Sequence, residues 1–271
     1  MAFTKVLIAV KTYPTLSRKY TELVCTAGFR DDGSWIRIYP SPFRFLATDQ
    51  RYRKYQWVEL DLERNPSDQR PESYRPRNID DIRMGSFIAS GKDWGERRRL
   101  ILDRNTIHTS LGTIIKGAKD NTMSLAVFKP AAILDLIVED AAEDWELSKK
   151  QVAEASLAQG SLFDDTKTAD FKLMPKLPVK FSYKFRDAEG RTSTLMIEDW
   201  EIGQLYWSCL KDADKKTAVA KVRQKYFDEF VGKKDLYLFL GTTREWHSRA
   251  PNPYVIVGVF YPPIQTQPSL L

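Results

Sequence analysis

Apolar and polar positions alternate with a period of two along much of the chain, which predicts more strands than helices. "KVLIAVKTY" is a first strand. "YTELVCTAGF", "DDGS" and "WIRIYP" make a hairpin, with turn chemistry from Asp31, Asp32 and Gly33 between two β-rich runs. In "YQWVELDLER", Trp57, Glu59, Asp61 and Glu63 alternate with Val58, Leu60 and Leu62, a half-buried strand with an acidic outer face. "ERRRLILDRN" and "TSLGTIIKGAK" predict short helices. "MSLAVFKPAAILDLIVED" predicts two strands parted at Pro130, which cannot sit centrally in a sheet.

The pattern changes at residue 144. A helical piece, "ELSKKQVAEASLA", leads into a polar connector that runs to residue 176. Beyond it "VKFSYKFRD" and "RTSTLMIED" form a second hairpin around Gly190. "DWEIGQLYWSCLK" and "KKTAVAKVRQKYFDEFV" are helical, the latter with Val219, Val222, Tyr226 and Phe230 at helical spacing. "DLYLFLG" and "YVIVGVFYPP" are closing strands. The expected fold class is α+β. A β-rich module over 1–143, a curved sheet or partly open small barrel with inserted helices, is followed by the 144–176 linker and a ββααββ module over 177–271.

Composition narrows the classes. The chain has 271 residues, 42% hydrophobic and 29% charged, as a globular protein does, and no apolar run approaches a membrane span. The "VLIAV" run near the start is short and lacks a cleavage site, so it reads as a strand rather than a signal peptide. Two distant cysteines, Cys25 and Cys209, make no disulfide framework and fit a reducing cytoplasm. A net charge of +6 favours a polyanionic partner.

Several chemistries lack their residues. Two Cys and two His, His108 and His247, stand at no zinc-ligand spacing, and no P-loop, nucleophile elbow or dinucleotide fingerprint is present. No metal or cofactor is called for, with one alternative. Glu198, Asp199 and Glu201 in "MIEDWEIG" gather where a strand gives way to a helix, and with the loop residue His247 they are the candidate catalytic set of a Mg²⁺-dependent nuclease. The simpler account is that an acid here caps the helix. Cys25 reads as structural.

Basic and aromatic residues interleave. On the strand "VKFSYKFR", Lys180, Lys184 and Arg186 face opposite to Val179, Phe181, Tyr183 and Phe185. A following helix adds Lys221, Arg223 and Lys225. In the first module Arg44, Arg51, Arg53 and Lys54 lie among Phe43, Phe45, Tyr52 and Tyr55. Cations beside aromatics suit single-stranded nucleic acid, phosphate contact plus base stacking.

Within the connector stands "QGSLF", Gln159 to Phe163, with an adjacent Leu162 and Phe163 in polar surroundings. It resembles the pentapeptide by which bacterial polymerases and repair proteins dock on the sliding clamp. The resemblance covers these five residues only. It implies that Gln159 fills a polar pocket and that Leu162 and Phe163 fill an apolar one.

The sequence therefore predicts a cytoplasmic nucleic-acid-binding protein of prokaryotic DNA transactions, related to repair, mobile elements or defence. Nucleic acid and the sliding clamp are its expected partners, a membrane is not, and nothing sets the oligomeric state. The alternatives are a Mg²⁺-dependent nuclease or other nucleic-acid-processing enzyme, and a protein-interaction adaptor.

Overall fold

The computed structural model describes residues 3–17, 21–163 and 171–265, with the side chains of 158–163 outside the description. The first strands are β1 (Thr4–Lys11), β2 (Thr15–Ser17), β3 (Thr21–Arg30) and β4 (Trp35–Ser41). They are followed by β5 (Gln56–Leu60), β6 (Leu62–Arg64), β7 (Ser73–Pro76) and β8 (Arg83–Phe87). All eight belong to one curled sheet, ordered β6-β7-β4-β3-β1-β5-β8, with β2 alongside β3. The β3–β4 hairpin is as the alternation predicts. Gly33 has φ +86°, and a Cβ there would lie 2.6 Å from the Arg104 carbonyl oxygen, so glycine is required by conformation and by space.

Helix α1 (Gly95–Ile101) closes the first half. Then come β9 (Ile107–His108), α2 (Leu111–Lys119), β10 (Leu125–Phe128), β11 (Ala132–Asp140) and α3 (Leu147–Phe163). The second half continues with β12 (Val179–Arg186), β13 (Thr192–Met196), α4 (Trp200–Leu210) and α5 (Lys215–Arg223). A π-helical stretch, Gln224–Glu229, leads into α6 (Phe230–Lys233), and β14 (Tyr237–Thr242) and β15 (Tyr254–Phe260) follow. Two sheets result, β15-β14-β10-β9 and β11-β12-β13. The fold is α+β in two modules, and its C-terminal part has the predicted ββααββ order, with the second helix broken into three.

Strand pairing divides the chain earlier than residue 143. β10 pairs with β14 and β11 with β12, and β9 joins the same sheet through β10, so the changeover falls between β8 and β9. The sequence misses this because a strand's own pattern does not name its partner, and the polar 144–176 stretch imitates a boundary. That stretch is also not loose throughout. Ala153 of α3 is fully buried, and Ser156 Oγ lies 2.9 Å from Thr21 Oγ1 of the first sheet. Phe171 stacks on Phe45 with centroids 4.1 Å apart.

β1 is buried on both faces. Val6 and Ile8 join Ile36, Ile38, Phe43, Tyr52 and Val58 in one core, while Leu7, Ala9 and Val10 join Phe29, Trp57, Leu125, Val127, Phe239 and Phe260 in another. The second core is the seam between the modules. Trp57 lies in it, which corrects the expectation of an exposed strand face there. A third core gathers α2, α4 and α5 on β12. Among the described residues no helix is long and apolar enough to cross a membrane.

Candidate nucleic-acid interface

At the end of β1 the side chains part. Val10 and Thr12 turn to one side and Lys11 to the other, into a groove of about 510 Å³. Both modules build its walls. The first contributes Arg53 and Tyr55 before β5, Phe87 at the end of β8, and Trp94 and Arg97 at α1. The second contributes Trp200, Glu201 and Gln204 from the start of α4, and Tyr261 after β15. Asp199 positions α4: it is the N-cap, and its Oδ1 accepts from the Glu201 N–H at 3.1 Å. This is the capping role the sequence predicts.

Two wall residues have positive φ without being glycine, Tyr55 at 64° and Trp94 at 60°. For large aromatics that conformation costs on the order of 1 kcal/mol or more, and such strain clusters where function needs it. Their rings meet edge to face, with centroids 6.0 Å apart. Arg97 lies over both, 4.0 Å from the Tyr55 centroid and 4.7 Å from that of Trp94. Arg53 lies 4.4 Å over Phe87, whose ring is 40% exposed. The buried Tyr55 hydroxyl has no hydrogen-bond partner.

The charges are unequal. Lys54 is buried and neutralised, its Nζ 3.0 Å from Glu201 Oε2, 3.4 Å from Asp199 Oδ2 and 3.1 Å from the Val259 carbonyl. Burial works against the Lys54 ammonium, but Asp199 and Glu201 hold its pKa well above the usual value. Burial in turn raises Asp199, against the pull of Lys54. Lys11, Arg53 and Arg97 have no carboxylate partner among the described residues. Lys11 donates to the Tyr52 carbonyl and sits 4.4 Å over Phe43, and Arg97 donates to the Ile88 carbonyl. Burial pushes the Lys11 pKa down to about 8. The groove is an aromatic-walled cleft in which three cations make no salt bridge among the described residues, with the Glu201 carboxylate on its wall attracting Lys11 and Arg97.

The residues singled out from sequence are distributed as follows. Arg53, Lys54, Asp199 and Glu201, far apart in the chain, meet at this groove. Glu198 points away from it into a cavity on the other side of β1, so the three acids do not form one ligand set. Asp199 also accepts from the Val259 N–H, leaving its oxygens occupied, and among the described residues no three His, Cys, Asp or Glu gather as a metal site. His247 is buried elsewhere, between Thr242 Oγ1 and Asn121 Oδ1 at 2.9 Å each. Arg44 is spent on Glu22 and the Lys172 carbonyl, and Arg51 on the Leu46 and Arg44 carbonyls.

On β12, Lys180 and Lys184 are exposed but lie opposite Glu139 and Asp135 of β11, while Arg186 lies opposite Ala132. Arg223 pairs with Asp135, Lys225 pairs with Glu229, and Lys221 is exposed. The backbone of α3 is helical through Phe163, but Gln159, Leu162 and Phe163 have side chains outside the described residues. Sequence reasoning missed Lys11, Phe87, Trp94 and Arg97. Lys11 left a signal, a lone cation closing an apolar strand, whereas the left-handed backbone of Tyr55 and Trp94 left none.

Residues 2–103 match a family model described as Domain of unknown function (DUF8758), and residues 107–271 match one described as Domain of unknown function (DUF8757). The two matches meet between α1 and β9, where the strand pairing also divides the chain. A comparison with curated proteins finds no match.

Proposed function

The chain belongs to the DUF8757 family, whose model covers well over half of it, and for this chain we propose single-stranded nucleic-acid binding in the cytoplasm. The observation that carries the reading is the groove itself. Among the described residues Lys11, Arg53 and Arg97 make no salt bridge, and they line one cleft with Phe87, Trp94 and Trp200. Bases stack on aromatic faces at about 1–3 kcal/mol each, and phosphates take the cations. Duplex keeps its bases stacked inside and offers the aromatic wall nothing, so the reading favours single strands. DNA transactions of a prokaryotic cell are the proposed setting, with nucleic acid as the partner.

The nuclease alternative has less support, because the Lys54 ammonium stands against both Asp199 and Glu201, where a cation would have to bind. The adaptor alternative leaves these three cations without a purpose. The test is a titration of labelled single-stranded DNA, single-stranded RNA and duplex at low salt, read by anisotropy and by quenching of tryptophan emission. Micromolar or tighter binding of a single strand, with quenching reduced in Trp200→Phe, is expected. Equal or better binding of duplex, or no binding of either strand, contradicts the reading.

A further inference from the structure

On the opposite side of β1 from the groove lies a half-open cavity of about 620 Å³ between the modules. Its inner wall is apolar, with Val10, Ala27, Leu125 and Val257. Its mouth is marked by exposed residues, among them Thr15, Lys180 and Arg244. The alternation of "WIRIYP" places Arg37 and Tyr39 on the cavity face of β4, so an arginine enters an otherwise apolar strand interior. Arg37 is 1% exposed, and it makes no salt bridge among the described residues. Its guanidinium donates to Ser124 Oγ at 2.7 Å and to the Ser124 and Thr242 carbonyls, and its Nε has no partner. Arg70, paired with Asp68 at 2.6 Å, donates to the same Thr242 carbonyl. The adjoining Thr243 hydroxyl is buried and also unpartnered. Arg244 at the mouth makes no salt bridge among the described residues.

Glu198 stands in the same cavity. Three sheets meet at its backbone: its N–H donates to the Ile256 carbonyl at 2.8 Å, and its own carbonyl accepts from the Tyr13 N–H at 2.7 Å. The side chain is half-buried, no hydrogen bond reaches its carboxyl among the described residues, and burial raises its pKa. A half-buried carboxyl that lines a cavity and is left without a protein partner is free to accept from a ligand. Aromatic side chains complete the wall. The Tyr13 hydroxyl is taken by the Pro175 carbonyl and the Trp207 N–H, and the Trp145 N–H by the Met174 carbonyl, which leaves their rings as apolar surface.

The cavity thus offers cations, one unpaired carboxyl and aromatic surface within a volume suited to a small molecule. We propose that it is a second, separate site that binds a nucleoside monophosphate. The phosphate is held by Arg244 at the mouth with Lys180 beside it, the base packs on the aromatic wall, and Glu198 accepts hydrogen bonds from ribose hydroxyls or a base amine. The inference does not depend on the groove, which lies across β1 and shares no lining residue with the cavity.

The experiment is calorimetric titration of the full chain with each of the four ribonucleoside monophosphates, with inorganic phosphate and with tryptophan. At least one nucleotide should bind in the micromolar to submillimolar range, and inorganic phosphate at least about tenfold more weakly, since it lacks the stacking and Glu198 contacts. Arg244→Ala should weaken the nucleotide about tenfold or more, and Arg53→Ala, in the groove, should leave it unchanged. Glu198→Ala should weaken it similarly while melting at or above the parent temperature, a result that a purely structural carboxyl would not give. The proposal is overturned if no nucleotide binds, if phosphate or tryptophan binds as tightly as the best nucleotide, if Arg53→Ala alone abolishes binding, or if Arg244→Ala and Glu198→Ala both bind like the parent.

Discussion

Burial moves the Lys11 ammonium from 10.5 down to about 8, and each pK unit is worth about 1.4 kcal/mol, so its charge weighs roughly 2–3 kcal/mol against the fold at neutral pH once residual exposure is allowed for. The depressed value sets the sign. Below pH 8 both folded and unfolded chains carry the proton and the cost is full. Between about 8 and 10.5 the folded state releases it first, and stability rises with pH. Lys11→Met is therefore expected to be more stable than the parent at pH 7, with a gain that shrinks across that window, and to bind single strands more weakly. Chemical denaturation at several pH values reads the first and the oligonucleotide titration the second. The turn glycines make another residue-scale prediction. Gly33 and Gly190 both have φ above +80°, but a Cβ at Gly190 meets open space while one at Gly33 meets Arg104. Gly190→Val should cost on the order of 1 kcal/mol and Gly33→Val clearly more, as measured by denaturation midpoints. Turns and the Asp199 cap could be read from sequence because their chemistry is local. Arg37 and Lys11 could not, since what makes them unusual is the distant chain that buries them.

At the scale of elements, β12 shows how a correct pattern can mislead about charge. The alternation of Lys180, Lys184 and Arg186 against an apolar face is as predicted, but register with β11 sets Asp135 and Glu139 opposite the two lysines. Cross-strand pairs of opposite charge attract, so this strand offers less free charge than its sequence suggests. Lys184→Ala is expected to change single-strand affinity less than about twofold, well below the effect of Arg53→Ala; the reverse order would move the interface from the groove to β12. For α3, the helical backbone runs through the pentapeptide that resembles a clamp-docking motif, and an extended docking mode requires that last turn to unwind. Clamp docking predicts that a peptide of residues 155–167 binds a bacterial sliding clamp, that its Leu162→Ala, Phe163→Ala form does not, and that the same change in the full chain leaves melting unaltered. Retained peptide binding in the double variant would contradict it.

The whole molecule is held by its seam. Leu7, Ala9, Val10, Phe29 and Trp57 of the first sheet pack on Leu125, Val127, Phe239 and Phe260 of the second, and the Arg37 and Arg70 guanidiniums fasten the edge to Ser124 and Thr242. Neither family-matched part can bury that face alone. Thermal unfolding should accordingly show one transition, and residues 1–103 expressed by themselves should aggregate or bind a hydrophobic dye. Two resolved transitions would contradict this. The two-module plan and the α+β class were legible from strand and helix periodicities. The position of the seam was not, because β10 and β11 choose partners from beyond the 144–176 stretch.

The salt dependence of oligonucleotide affinity in the parent and in Lys11→Met, Arg53→Ala decides whether the groove joining the modules binds single strands through its cations. Each phosphate contact contributes about −0.7 to the slope of log affinity against log salt for single strands. A steep slope is expected in the parent, with a loss of about one to two contacts in the double variant and folding intact. An unchanged slope and affinity in a folded double variant would rule out the groove as the binding site.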